Sequence, residues 1–107
     1  MRVIPKDKVI FHFNTANKAN YTVQDGEVFW VEADDCYSGQ ITDASVKRTD
    51  IDISIMDCAV GPIDVEGAEP GDTLCVEVMA IDLADHGIMV TNCGLGVLGD
   101  RITEPDT

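Results

Sequence analysis

The chain has 107 residues, 20 of them acidic against 7 basic, for a formal charge of −13 with neutral histidines. That length suits one domain rather than two, and 45% hydrophobic with 25% charged residues is the composition of a folded domain, too apolar for a disordered chain. The charge excludes a nucleic-acid binder, because phosphate contacts need lysine and arginine stripes, and an anionic membrane surface would repel the chain for the same reason.

In chain order, the opening Met1–Lys8 has no apolar run long enough for a signal peptide. No later stretch approaches the roughly 20 apolar residues of a spanning helix, so the expected location is the cytoplasm. The periodicity is two. Val9, Phe11 and Phe13 share one face of a predicted strand, with Ile10 and His12 on the other. A turn at Asp25-Gly26 leads into a β-rich run over Val28–Ala33. Residues 42–48 make a helical turn or two at best. Asp50–Ile55 alternates, isoleucines inward and polar residues outward. Pro70-Gly71-Asp72 opens a strand over Thr73–Ile81, and Ile88–Thr91 is a shorter one. The pattern predicts an all-β chain of short strands, one β-sandwich domain over residues 1–107. The Gly-rich stretch Asn92–Ile102 reads as a passage that connects onward or packs against something.

Four cysteines, Cys36, Cys58, Cys75 and Cys93, stand 22, 17 and 18 residues apart, with no C-x-x-C pair. They signal neither a zinc ribbon nor a redox pair and read as free thiols, several of them small core residues. Between Arg48 and Arg101 there is no basic residue but eleven carboxylates. These are either a solvated surface or a few groups meeting around a hard cation or a substrate amine. The densest chemistry lies in Glu32–Ile41, where three carboxylates, a thiol, two hydroxyls and an amide follow one hydrophobic strand. Asp34 or Asp35 could hold a metal or act as a base. Cys36 would need a lowered pKa to serve as a nucleophile, which neighbouring carboxylates oppose. The alternative is an Asx-type turn with a buried cysteine. In Val60–Asp72, Gly61-Pro62 could hold backbone close to a ligand, but the segment has no phosphate-cradle motif, and Gly94-x-Gly96 is too short for a dinucleotide fingerprint. His12 and His86 are the only imidazoles, and no G-x-S-x-G elbow supports a triad.

Three blocks, taken in order, resemble the beginning of the acetamidase/formamidase family. Asp35-Cys36-Tyr37-Ser38-Gly39-Gln40-Ile41 is similar to its D-C-[FY]-x-x-Q-I loop. Gly61-Pro62-Ile63 through Val65-Glu66-Gly67-Ala68-Glu69-Pro70-Gly71-Asp72-Thr73-Leu74 resembles G-P-[IV]-x-V-x-G-A-x-P-G-D-x-L, the most specific of the three. Gly94-Leu95-Gly96-Val97-Leu98-Gly99-Asp100 resembles G-x-G-x-L-G-D. The resemblance covers nearly the whole chain after about Ile10.

It implies a jelly-roll-like β-sandwich forming the N-terminal portion of a longer all-β enzyme that assembles into oligomers. The implied reaction is hydrolysis of formamide, acetamide and related short amides to the carboxylic acid and ammonia, with a divalent metal, zinc, as the implied cofactor. The implied catalytic residues are Asp35 as metal ligand or base, Gln40 as an amide donor near the substrate, and Cys36 lining the site. The family's downstream half, with its polar His/Asp/Glu region, has no counterpart in these residues. The expectation is therefore a portion inactive by itself that forms a homo-oligomer or pairs with the missing C-terminal half. The alternative is a non-catalytic acidic β-sandwich module that binds a partner chain or self-associates.

Overall fold

The computed structural model describes residues 1–107 in full. The chain consists of short strands, turns and three single-turn 3-10 segments, with no α-helix, and is all-β as its periodicity predicts. The strands are β1 (Arg2–Ile4), β2 (Val9–Ile10), β3 (Tyr21–Val23), β4 (Phe29–Val31), β5 (Ala59–Val60) and β6 (Ile63–Val65). They pair two by two. β1 runs parallel to β4, with Arg2 opposite Phe29 and Ile4 opposite Val31. β3 runs parallel to β6, with Tyr21 opposite Ile63 and Val23 opposite Val65. β2 is antiparallel to β5.

The residues form two compact units. The first comprises Met1–Ala33 and Ala59–Ala84 and contains all three strand pairs. Its buried side chains are Ile4 and Val23, the inward ends of β1 and β3. The Arg2 guanidinium links these strands by donating to the Thr22 carbonyl at 2.7 Å. The Lys8 ammonium lies 5.5 Å from the Tyr21 ring centroid, and the Tyr21 hydroxyl donates to the Asp7 carboxylate. Asn20 braces Gly61-Pro62: its side-chain amide donates to the Gly61 carbonyl at 2.8 Å and its backbone N–H to the Pro62 carbonyl at 2.9 Å. Gly61 has φ +120°, and a Cβ there would lie 3.0 Å from the Ile63 backbone nitrogen, so this turn needs a residue without a Cβ.

The second unit comprises Asp34–Cys58 and Asp85–Thr107. Here turns replace ladders. Its 3-10 segments are Arg48–Asp50, Ile53–Ile55 and Gly99–Arg101, and its buried apolar side chain is Ile41. Thr91 and Asp106 exchange two backbone hydrogen bonds, 2.9 and 3.0 Å long, in an isolated bridge. In the loop Gly94–Gly99, the Gly94 N–H donates to the Gly99 carbonyl at 3.0 Å and the Gly99 N–H to the Gly96 carbonyl at 3.1 Å. A Cβ on Gly99 would lie 2.6 Å from the Gly94 carbonyl carbon. These glycines do stand at G-x-G-x-x-G spacing, but only a single 3-10 turn follows them, so no helix N-terminus exists to receive a pyrophosphate.

Several predicted strands are corrected. β2 stops at Ile10 because Asn14 sets its own turn, accepting from the Ala16 N–H at 2.9 Å. Phe13 consequently lies exposed. Asp50–Ile55 is not a strand. The Asp52 carboxylate accepts from the Ser54 N–H and hydroxyl at 2.9 and 2.6 Å, which curls Ile53–Ile55 into a 3-10 turn and leaves Ile53 exposed. Local side-chain capping here overrides the alternating pattern. Ile88–Thr91 contributes only the bridge at Thr91. β1, β3, β5 and β6 lie outside the predicted runs.

Thr73–Ile81 keeps its strand-like sequence but has no ladder partner, and no backbone hydrogen bond involves any residue from Thr73 to Val90. Accessible surface reflects this. The chain exposes 8403 Å², whereas a folded monomer of 11.6 kDa exposes about 5,800 Å². No helix is long and apolar enough to cross a membrane. All four cysteines are free thiols, as expected, but Cys36, Cys75 and Cys93 are exposed and Cys58 is half-buried, so none is a core residue.

Candidate functional site

The loop after β4 is built around one carboxylate. Asp35 Oδ1 accepts from the backbone N–H groups of Tyr37 and Gly39, both at 3.0 Å, and the Asp35 carbonyl accepts from the Ser38 N–H at 3.0 Å. Ser38 and Gly39 both take left-handed backbone, φ +54° and +70°, a conformation costly for serine. Side chains hold it there. The Ser38 hydroxyl donates to the Ile55 carbonyl, and the Asp34 carboxylate lies 3.5 Å from where a Cβ on Gly39 would stand. The Asx-type turn is therefore real, but its cysteine is exposed rather than buried.

Gln40 and Cys36 fasten this loop to the segment 52–58. The Gln40 amide donates to the Tyr37 carbonyl at 2.9 Å and to the Asp52 carbonyl at 3.0 Å, while its Oε1 accepts from the Asp52 N–H at 2.9 Å. Both amide donors of Gln40 are thus engaged with backbone, which makes it a strut between the two segments. The Cys36 carbonyl accepts from the Asp57 N–H at 2.7 Å, and the Cys58 thiol lies 3.7 Å from the Asp35 carbonyl. Asp57 is also left-handed, φ +57°. Two non-glycine residues in that region, one on each joined segment, mark the place where this unit holds its backbone against local preference.

The electrostatics follow from these contacts. Burial, with the adjoining Cys36 thiol, raises the Tyr37 phenol above its ordinary pKa, and Arg48 opposes the shift. The Ser54 hydroxyl and then its N–H hold the Asp52 carboxyl below the usual range. Asp35 Oδ1 is occupied by two amides, but Oδ2 carries no hydrogen bond and the residue is exposed, which leaves one carboxylate oxygen free to meet a proton or a cation.

The structure thus brings Asp35, Cys36 and Gln40 together on one braced loop. It also adds Ser38, Asp52 and Asp57, whose part was not drawn from the sequence. The Asp52-x-Ser54 spacing, an N-cap signature, was the available signal for a turn at 52–54. His86 lines a cavity of about 240 Å³ with Thr42, Asp43, Met89 and Thr107, and Asp35 is not part of that lining. His12 is exposed in the first unit. No three His, Cys, Asp or Glu side chains of the chain group closely enough to hold a metal ion. Asp35 can supply one oxygen to such an ion, and these residues do not complete its coordination.

Comparison with known proteins supports the three sequence blocks. A formamidase from Methylophilus methylotrophus is 34% identical over 90 residues, covering 77% of this chain and 22% of the relative. An acetamidase from Mycolicibacterium smegmatis is 40% identical over 77 residues, covering 70% of this chain and 19% of the relative. The crystal structure of an acetamidase from Bacillus halodurans superimposes with a TM-score of 0.92 at 34% identity, over 97% of this chain and 35% of that one. The chain thus spans about a fifth of the length of the curated relatives it matches, and about a third of the acetamidase of known structure. Residues 10–106 match the acetamidase/formamidase family throughout, and the chain belongs to that family.

Proposed function

We propose that these residues form part of an enzyme that hydrolyses short linear amides, of the formamide or acetamide type, to the carboxylic acid and ammonia. The supporting observation is a family match running through the loop whose carboxylate is held by two backbone amides with one oxygen left over. Water adds to the amide carbonyl, the C–N bond breaks, and the proton lost by water is delivered to the departing nitrogen. Asp35 is the group in this chain suited to take and return that proton through Oδ2, with Tyr37 and Gly39 fixing its orientation through Oδ1. Gln40 acts as a positioning residue through its three bonds to backbone. Cys36 lines the site as an exposed thiol.

A zinc ion is the alternative use of the same oxygen: Asp35 Oδ2 would then be one ligand in place of the base, with the other donors coming from beyond residues 1–107. Such an ion would polarise the carbonyl and acidify its bound water. The strands described here would be one part of a jelly-roll-like sandwich that the rest of the protein completes.

The test is ammonia release from formamide and acetamide. We expect background release from the 107-residue chain and robust release from a protein that also carries the remainder of the family sequence. In that longer protein, Asp35→Asn should abolish turnover. No release from the folded longer protein would overturn the amidase reading, and full activity with unchanged metal content in Asp35→Asn would remove Asp35 from it. The second reading, a non-catalytic module that binds a partner, draws on the unpaired segment after residue 72, and a folded but inert longer protein would favour it.

A further inference from the structure

We propose that residues Leu74–Leu83 are a docking strand, one that pairs with a β-strand from the part of the family fold lying outside residues 1–107. The inference names the partner implied by the proposed function and rests on family membership rather than on amide hydrolysis.

The first observation is apolar exposure. Leu74, Val76, Val78, Met79, Ile81 and Leu83 are 69–81% exposed, and only Glu77 and Asp82 interrupt them with charge. Even-numbered and odd-numbered positions are both apolar, the pattern of a strand covered on both faces rather than one lying on a surface. The second is backbone. This stretch makes no main-chain hydrogen bond, although a strand's donors and acceptors are obligatory pairing groups. The third is area. The chain exposes 8403 Å², about 2,600 Å² above the expectation for its mass, and an excess of that size on one partner corresponds to an obligate interface.

The superposition on the Bacillus halodurans acetamidase is the reason for choosing this occupant. It includes 97% of this chain at a TM-score of 0.92 and leaves about two thirds of that chain outside the match. The backbone described here is therefore shaped as it is within a much longer polypeptide, which is where the missing strand resides. A second copy of this chain is the poorer occupant. Each copy carries −13, and pairing two would bring like charge together over a wide area. Every sheet here is also two-stranded. A pair of strands is marginal without further neighbours, and its open edges invite β-addition.

Cys75, an exposed free thiol inside the segment, is a built-in probe, with exposed Cys36 as internal control. The thiol-labelling rate of Cys75 is measured in the 107-residue chain and in a chimera in which this chain replaces the matched portion of the Bacillus halodurans acetamidase. The isolated chain should label at the rate of a free thiol at all concentrations. The chimera should label at least 100-fold more slowly at Cys75, with slowed amide exchange over residues 74–83. Val76→Lys with Val78→Lys in the chimera should restore fast Cys75 labelling while exchange protection of the β1–β4 pair persists. A chimera that fails to fold, or that folds with Cys75 still labelling at the isolated-chain rate, overturns the proposal. Protection of Cys75 that grows with concentration in the isolated chain assigns the segment to a second copy and overturns it equally. Ammonia release is not the readout, so an inactive chimera with a protected Cys75 would refute the amidase reading and leave the docking strand standing.

Discussion

Gly99→Ala tests whether the loop Gly94–Gly99 is closed by backbone packing. Gly99 is buried, and a Cβ there would stand 2.6 Å from the Gly94 carbonyl carbon and 2.9 Å from its Cα. Non-bonded carbons rest about 3.5–4.0 Å apart, so the loop must open by roughly 0.9 Å or more to admit a methyl group. The two hydrogen bonds that close it, now 3.0 and 3.1 Å, would stretch beyond bonding range, at about 0.5–1.5 kcal/mol each. Overpacking of this kind costs about 1–3 kcal/mol, and the two figures agree. Gly87→Ala is the matched control: neither glycine has a positive φ, and nothing lies within 4 Å of a Cβ at Gly87. Urea unfolding of the two variants, with slopes unchanged, should place Gly99→Ala about 2 kcal/mol below Gly87→Ala. A difference under about 0.5 kcal/mol would refute the close approach of Gly99 to Gly94 and the loop geometry built on it.

Asp35→Asn keeps an acceptor at Oδ1 and should leave the urea midpoint nearly unchanged, whereas Asp35→Ala strips the acceptor from two backbone amides and should cost about 1–3 kcal/mol. Gln40→Ala removes three hydrogen bonds between the loop and Asp52 or Tyr37. Its expected cost is about 2–4 kcal/mol, and amide exchange should quicken at Asp52. Carboxyl NMR titration should place Asp43 and Asp52 below their ordinary value of 3.8, chiefly because Ser45 and Ser54 hydroxyls donate to them. Their contribution is then complete above 3.8 and lost as pH falls through the folded-state values. Ser54→Ala should move Asp52 back upward; no movement would contradict that cause. Tyr21 is shifted the other way, above 10.0, first through its hydroxyl bond to Asp7 and then by burial. That contribution is present below pH 10.0 and lost as pH rises through the folded-state value, and Asp7→Asn should bring the ultraviolet titration of Tyr21 down.

The turn that carries the candidate residues was legible because its information is local. Asp35, Cys36 and Gln40 fall within six consecutive residues, and an Asx turn needs only its own side chain and the next few amides. What Gln40 does was not legible, because its partner Asp52 lies twelve residues away and is reached only once the two segments meet. The isoleucines of Asp50–Ile55 show the reverse error. Period-two alternation pointed to a strand, but a strand exists through its neighbour, and Asp52 and Ser54 satisfied their own backbone first.

The sequence by itself determined the all-β character, the family through its three blocks, and the turns at Asp25-Gly26 and Pro70-Gly71-Asp72, where the Asp72 N–H donates to the Glu69 carbonyl at 3.1 Å. These depend on residue chemistry within a few positions. Only the tertiary structure decided which short strands pair, that Asp35 keeps one oxygen free while Gln40 keeps no amide donor free, and that Thr73–Ile81, the most strand-like run in the chain, has no partner here. The physical reason is the same in each case. A hydrogen bond or a buried face belongs to two segments at once, and one segment's sequence states only its half of the requirement.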